Sequence, residues 1–237
     1  MLVNGCTDKT TPNQAIQRPV QQRRFELLIL DCDGVVVDSE PITMRVLTEM
    51  LNELGVCIGA EEANERFIGT TFARTLELIA ELLGGALPEQ FVPNYRDRTF
   101  AAMEAELKPV SGIEAALDQI TIPYCIASNG PHVKMRKTLS LTSLLSRFEG
   151  RMFSSADVPR GKPFPDLFLF AASHFAVAPA ACLVVEDSAS GIAAALAAGM
   201  PVYGFSGSIP DGRLIAAGAQ KVFRQMSELP SLVAGTQ

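Results

Sequence analysis

Asp31 and Asp33 stand two residues apart, directly after the apolar run Phe25 to Leu30 and directly before Gly34. Two like charges ~4 Å apart repel by about 1 kcal/mol in water and about 4 kcal/mol at an effective dielectric of about 20. A chain holds such a pair together when a cation bridges the carboxylates or when one of them keeps its proton. Both conditions suit a carboxylate nucleophile with a neighbouring acid–base partner and a hard, oxygen-loving ion such as Mg2+.

Three more polar clusters each follow an apolar run: Ser128-Asn129-Gly130, Gly161-Lys162-Pro163 and Glu186-Asp187-Ser188. Asp31 is the candidate nucleophile, able to attack phosphorus in line and form an aspartyl-phosphate. Asp33 is the candidate acid and base, protonating the leaving oxygen and later deprotonating water. Glu186 and Asp187, with Asp31 and the Asp33 backbone carbonyl, make a candidate magnesium shell. The Ser128 hydroxyl and the amides of Asn129 and Gly130 are placed to bind phosphate oxygens near a helix N-terminus. Lys162, stiffened by Pro163 and Pro165, supplies a fixed positive charge to the transferring group. His132 is a candidate substrate contact, whereas His174 reads as an ordinary helix residue. Each cluster alone has a plainer reading: Asp33-Gly34 as a turn, Ser128-Asn129-Gly130 as a loop, Lys162 as a surface lysine, Ser188 as a helix cap. Their order after successive strands is what gives the set its meaning.

The elements that position these residues are short runs rich in Val, Ile, Leu and Phe: Phe25 to Leu30, Tyr124 to Ala127, Arg151 to Phe153, Cys182 to Val185, Val202 to Phe205 and Lys221 to Phe223. Helical periods lie between them at Val133 to Leu145, Pro165 to Phe175 and Ala189 to Ala198. Alternating strands and helices predict an α/β fold with a doubly wound, Rossmann-like parallel sheet, whose strands all end at one edge. From Pro41 to Leu107 the pattern is instead helical, with segments Ile42 to Leu54, Ala60 to Phe67, Thr71 to Leu83 and Glu89 to Leu107. The expected organisation is a mobile tail over 1–24, a catalytic core over 25–38 and 112–237, and an inserted all-helical cap domain over 39–111.

The chain has 237 residues, 48% of them hydrophobic and 19% charged, so it buries a full core and is not disordered. A net charge of -6 without a long basic run argues against nucleic acid or an anionic membrane as partner. The first apolar run is too short for a secretory or membrane-spanning segment, and Cys32, Cys125 and Cys182 sit in apolar surroundings as reduced thiols. A cytoplasmic monomer is expected. No cysteine is followed at the sixth position by arginine, no Arg-His-Gly occurs, and Gly161-Lys162 lacks the spacing of a nucleotide-binding P-loop.

With those residues in place, the chain resembles the haloacid-dehalogenase superfamily of aspartate-nucleophile phosphotransferases from about Phe25 to the last strand. Asp31-Cys32-Asp33-Gly34-Val35 looks like its first motif, Ser128-Asn129 its second, Lys162-Pro163 its third and Glu186-Asp187 its fourth. The insert matches the β-phosphoglucomutase-like subgroup with a helical cap. Dehalogenases lack the second aspartate, so Asp33 implies phosphate chemistry; phosphonatases use a cap lysine, and none occurs between Asp38 and Lys108. The mutases carry a histidine where this chain has Thr43 and a Ser-Arg pair where it reads Thr71-Phe72, so water is the expected acceptor and phosphoryl-transfer mutase the alternative. Ala127-Ser128-Asn129-Gly130-Pro131 with Lys134-Met135 is similar to the 6-phosphogluconate phosphatase type. The resemblance implies a small phosphorylated sugar or sugar acid as substrate, with Thr70 and Arg74 of the cap as candidate contacts; Arg74 has the alternative of pairing with Glu77. The out-of-class alternative is a catalytically silent phosphometabolite-binding module. Replacing Asp31 by Asn is expected to abolish hydrolysis of p-nitrophenyl phosphate while leaving the circular dichroism spectrum intact. Wild-type turnover in that variant would remove Asp31 from the chemistry.

Overall fold

The computed structural model describes residues 25–68, 70, 72–207 and 209–235; the expected mobile tail over 1–24 lies outside them. Six strands form one sheet: β1 (Leu27–Leu30), β2 (Tyr124–Ser128), β3 (Met152–Ser154), β4 (Cys182–Glu186), β5 (Val202–Phe205) and β6 (Lys221–Phe223). Their order is β3-β2-β1-β4-β5-β6 and every pairing is parallel. Four helices, α1 (Glu40–Glu53), α2 (Ala60–Phe67), α3 (Phe72–Leu83) and α4 (Phe91–Glu106), follow β1 before the second strand begins. The remaining helices are α5 (Ile113–Gln119), α6 (His132–Leu141), α7 (Leu145–Phe148), α8 (Asp166–His174), α9 (Ala189–Ala197), α10 (Asp211–Ala216) and α11 (Leu229–Ala234).

All four β1 residues are fully buried, as a central parallel strand covered on both faces requires. Alternation along the strand divides them between two layers. Leu28 and Leu30 pack with Ile113, Met135, Leu139, Phe148 and Leu229, so α5, α6, α7 and α11 cover that face. Leu27 and Ile29 pack with Phe168, Ala171, Ile192 and Leu214, which places α8, α9 and α10 on the other. The sheet is a doubly wound, Rossmann-like layer with helices on both sides.

The four inserted helices bury a cluster of their own, including Val46, Leu47, Met50, Leu51, Phe67, Ile79 and Phe91. The chain enters and leaves the insert side by side: the Asp38 amide donates to the Lys108 carbonyl at 2.9 Å and the Val110 amide to the Val36 carbonyl at 3.0 Å. A second tie runs from α10, where the Arg213 guanidinium donates to the carbonyls of Ile68 and, at 2.9 Å, Glu65. These carbonyls end α2, where a cation is favoured. Among the described residues no helix is long and apolar enough to cross a membrane.

One predicted element divides. The helical pattern of Val133 to Leu145 is two helices, because Thr142 donates its hydroxyl back to the Thr138 carbonyl at 2.9 Å and Ser143 takes φ 61°. A left-handed residue ends an α-helix and turns the chain toward α7. The Phe168 ring, fully buried on α8, lies 5.0 Å from the Lys162 ammonium and beneath β1. Phe168→Ala is expected to cost about 3–5 kcal/mol of unfolding free energy in chemical denaturation. A loss below about 1 kcal/mol would mean that α8 does not carry that packing.

Candidate active site

Parallel strands deliver their C-terminal ends to one edge, and the carboxylates meet there. Asp31 follows β1, its amide bonded to the Val185 carbonyl of β4 at 3.0 Å, and Glu186 is the last residue of β4. Asp31, Glu186 and Asp187 each offer an oxygen, and these atoms lie within 4.8 Å of one another in a buried cluster. Lys162 reaches into it from the loop before α8. Its ammonium sits 2.5 Å from both the Asp31 Oδ1 and the Glu186 Oε1 atoms, and all three side chains are nearly or wholly removed from solvent.

The local sequence makes room for this cluster. Gly34 has φ +79°, and a Cβ there would stand 1.8 Å from the Asp187 Oδ2 atom. At Gly191, in the first turn of α9, a Cβ would stand 1.9 Å from the Glu186 carboxyl group. Ser188 caps α9 by accepting from the Gly191 amide at 3.0 Å and donates its hydroxyl to the Glu186 Oε2 atom at 2.8 Å. Its capping role and its tie to the cluster are therefore one arrangement.

Charge sets the protonation pattern. Burial pushes the Asp31 carboxyl up to about 7 against the pull of Lys162, and the neighbouring Glu186 adds to the rise. Burial also pushes Asp187 well above the usual carboxylate range, helped by Glu40 and Asp31. Lys162 moves the other way: burial opposes its charge, but Asp31 and Glu186 outweigh that and hold it protonated. Asp33 faces different partners. Its Oδ2 atom accepts from the Lys134 ammonium at 2.6 Å and its Oδ1 atom from the Ser39 hydroxyl at 2.9 Å. These contacts overcome the cost of burial and keep its carboxyl below the ordinary range.

The second and third clusters interlock. The Asn129 side chain does not face the cleft; its amide group donates to the Lys162 carbonyl at 3.0 Å and its Oδ1 atom accepts from the Lys162 amide at 2.8 Å. Asn129 thus clamps the backbone that carries Lys162. The Gly130 amide donates to the Ser128 hydroxyl oxygen at 3.1 Å, and Ser154 and Ser155 donate to the carbonyls of Gly130 and Asn129 at 2.8 Å. The Ser128 loop is braced from behind, leaving its hydroxyl at the end of β2 beside β1.

Three other candidates have partners outside the carboxylate cluster. His132 pairs with Asp157 at 2.8 Å on the exposed side of α6. Thr70 bonds the Phe67 carbonyl and the Thr75 hydroxyl, both at 2.7 Å. Arg74 is exposed and pairs with Glu77 at 2.8 Å and Glu81 at 3.2 Å, the second of the two readings open for it. A cleft of about 490 Å³ lies instead between the insert and α6, lined by Thr43, Phe72, Tyr95, Arg96, Thr99 and Lys134 among others. Lys134 and Ser39, the partners of Asp33, were not foreseen in those roles. A lysine in the first turn of the helix after the Ser128 loop is the signal that could have found Lys134.

The donor set fits a hard divalent cation: three carboxylates share one buried cluster, and two are driven toward the protonated form without one. Fold and site together define a protein of the doubly wound α/β class with a buried carboxylate-lysine centre. The haloacid dehalogenase-like hydrolase family model matches residues 25–199. The chain is 33% identical over 210 residues to 6-phosphogluconate phosphatase of Escherichia coli (strain K12), covering 88% of this chain and 95% of that protein. It is 34% identical over 204 residues to a probable pseudouridine-5′-phosphatase of Drosophila melanogaster, covering 81% and 84%. The crystal structure of a haloacid dehalogenase-like protein of unknown function from Agrobacterium tumefaciens superposes with a TM-score of 0.84 at 37% identity, covering 89% and 98%. The chain belongs to the haloacid dehalogenase-like hydrolases, and it is an enzyme of their phosphoric monoester hydrolase class.

Without a cation, Asp31 releases its proton near pH 7, well above an unfolded aspartate at about 3.9. The unfolded chain then ionises first, so this group removes stability as pH rises between those two values. A bound cation offsets the loss. Magnesium is therefore expected to raise the Tm of the metal-stripped protein more at about pH 8 than at about pH 5. An equal rise at both would show that the ion binds away from these carboxylates.

Proposed function

We infer that the chain is a magnesium-dependent phosphatase of a small phosphorylated metabolite, a sugar phosphate or a sugar-acid phosphate such as 6-phosphogluconate. The carrying observation is the Lys162 ammonium 2.5 Å from both Asp31 and Glu186, which balances buried charge at the end of β1 while Asp33 is held by separate partners. Asp31 takes the nucleophile's role by its place at the end of β1 beside Lys162; Asp33, held ionised in the free protein by Lys134 and Ser39, takes up a proton before it serves as the acid. The phosphatase names of the two relatives support the same reading.

In this reading an Asp31 carboxylate oxygen attacks phosphorus in line, the ester P–O bond breaks, and the leaving oxygen takes a proton from Asp33. Asp33 then takes a proton from water, whose oxygen attacks the aspartyl-phosphate, releasing inorganic phosphate and restoring Asp31. Lys162 and the Ser128 hydroxyl bind the phosphoryl oxygens as their charge redistributes. Asp31, Glu186, Asp187 and the Asp33 carbonyl would hold Mg2+, which supplies further charge stabilisation to the phosphoryl group. The helical insert over 39–111 acts as the cap that excludes bulk water from the centre. Four cysteines among the described residues are free thiols, three of them buried, which suits a reducing cytoplasm.

Screening phosphate release from sugar phosphates, sugar-acid phosphates and nucleoside monophosphates tests the assignment, with thorough chelation and magnesium rescue as a second arm. Release from sugar or sugar-acid esters that stops on chelation and returns with magnesium is expected. Full activity after chelation would reject the metal dependence. An isomerised monophosphate in place of free phosphate, formed in the presence of a sugar bisphosphate, would make the enzyme a mutase.

A further inference from the structure

Rested on the phosphatase reading, the cleft above α6 must receive the part of the substrate that is not phosphate. The insert has five arginines, Arg45, Arg66, Arg74, Arg96 and Arg98. Four are held by carboxylates on its surface: Arg45 by Glu49 and Glu106, Arg66 by Glu62, Arg74 by Glu77 and Glu81, and Arg98 by Glu53. Arg96 has no such partner among the described residues, and it is the arginine that lines the cleft. Ordinary surface arginines on this insert find an acid; the one facing the cleft does not.

The same helical face carries a second unfilled group. Arg96, Thr99, Phe100 and Met103 fall at i, i+3, i+4 and i+7 of α4, and all four line the cleft. Thr99 is 7% exposed. Its hydroxyl lies beside that of Tyr95 yet reaches no hydrogen-bond partner in good geometry. A buried hydroxyl without a partner is costly, and a bound ligand atom would supply the partner. Phe72, Tyr95 and Pro131 add aromatic and apolar wall, with Phe72 stacked on Tyr95 at 5.9 Å between ring centroids, and Thr43 and Lys134 complete the lining. On the core side the cleft is bounded by Lys134, whose ammonium pairs with Asp33 at 2.6 Å.

The structure assigns Arg96, with the Thr99 hydroxyl beside it, to a carboxylate at the end of the substrate remote from its phosphate. A guanidinium fork matches two carboxylate oxygens, and one charge beside one neutral donor balances a monoanion. A second phosphate dianion would be half-balanced by Arg96 alone, because the Lys134 charge is already engaged by Asp33. Aromatic and methyl-bearing surface between the two anion sites suits the C–H faces of a short polyhydroxy chain.

Arg96→Met keeps an unbranched, flexible stem and removes the charged fork. The ratio of kcat/KM for 6-phosphogluconate to that for glucose 6-phosphate is expected to fall about 10- to 100-fold, chiefly through the KM for 6-phosphogluconate. Arg96→Lys should regain part of the ratio. An unchanged ratio in Arg96→Met, or a wild-type enzyme that cleaves p-nitrophenyl phosphate but not 6-phosphogluconate, overturns the assignment and leaves the phosphatase reading standing. If the wild type cleaves none of the three esters, the phosphatase reading falls, and calorimetry of 6-phosphogluconate binding decides the carboxylate site by itself. Weaker binding to Arg96→Met than to wild type upholds it; equal or absent binding overturns it.

Discussion

The organisation of the site depends on one buried cation, the Lys162 ammonium between Asp31 and Glu186. Removing one partner from a buried ion pair leaves an uncompensated charge and typically costs about 3–5 kcal/mol. Without Lys162 the end of β1 would hold carboxylates whose mutual repulsion opposes folding. Much of the neighbouring loop structure serves that one side chain. Asn129 grips its backbone from both sides of the peptide, and the Phe168 ring lies 5.0 Å from its ammonium. Contacts that span 33 residues of sequence thus fix the position of a single nitrogen.

The sheet order explains why these groups meet. From β1 the chain first builds β2 and β3 on one side and then crosses to β4 on the other. Strands β1 and β4 are neighbours whose outgoing connections lead in opposite directions, the point at which open parallel sheets leave a crevice. Asp31 and Glu186 leave the sheet at that crevice, and Ser128 ends the strand on the far side of β1. Inserting four helices directly after β1 adds a third hydrophobic cluster to the two that cover the sheet, without disturbing the sheet's register.

Much of this was legible in the sequence because buried parallel strands read as short apolar runs and their polar successors fall at one edge. The β5 and β6 runs match the observed spans residue for residue, and α2 does likewise. The break between α6 and α7 was not legible, since Thr142 and Ser143 interrupt the helix through a back-bonded hydroxyl and a left-handed backbone that no periodicity records. The clamp of Asn129 on Lys162 was hidden for another reason: the motif placed both residues at the site but could not show that one holds the other. Arg74 drew notice as a residue of the cap stretch to which the resemblance assigns specificity, yet helical spacing sets it over Glu77, while Arg96 projects from the α4 face that lines the cleft. Spacing tells which residues share a face; it does not tell which face meets the cleft.

Gly34 and Gly191 carry a consequence for how such a chain can diversify. Neither position has space for even one methyl group, since the oxygens of Asp187 and Glu186 already fill it. Replacement at either must displace a carboxylate of the centre, so drift there is arrested by volume before selection on rate applies. The exposed positions of the inserted helices face no comparable ceiling. New specificities on this scaffold must therefore be written into its roof, over a floor too crowded to revise.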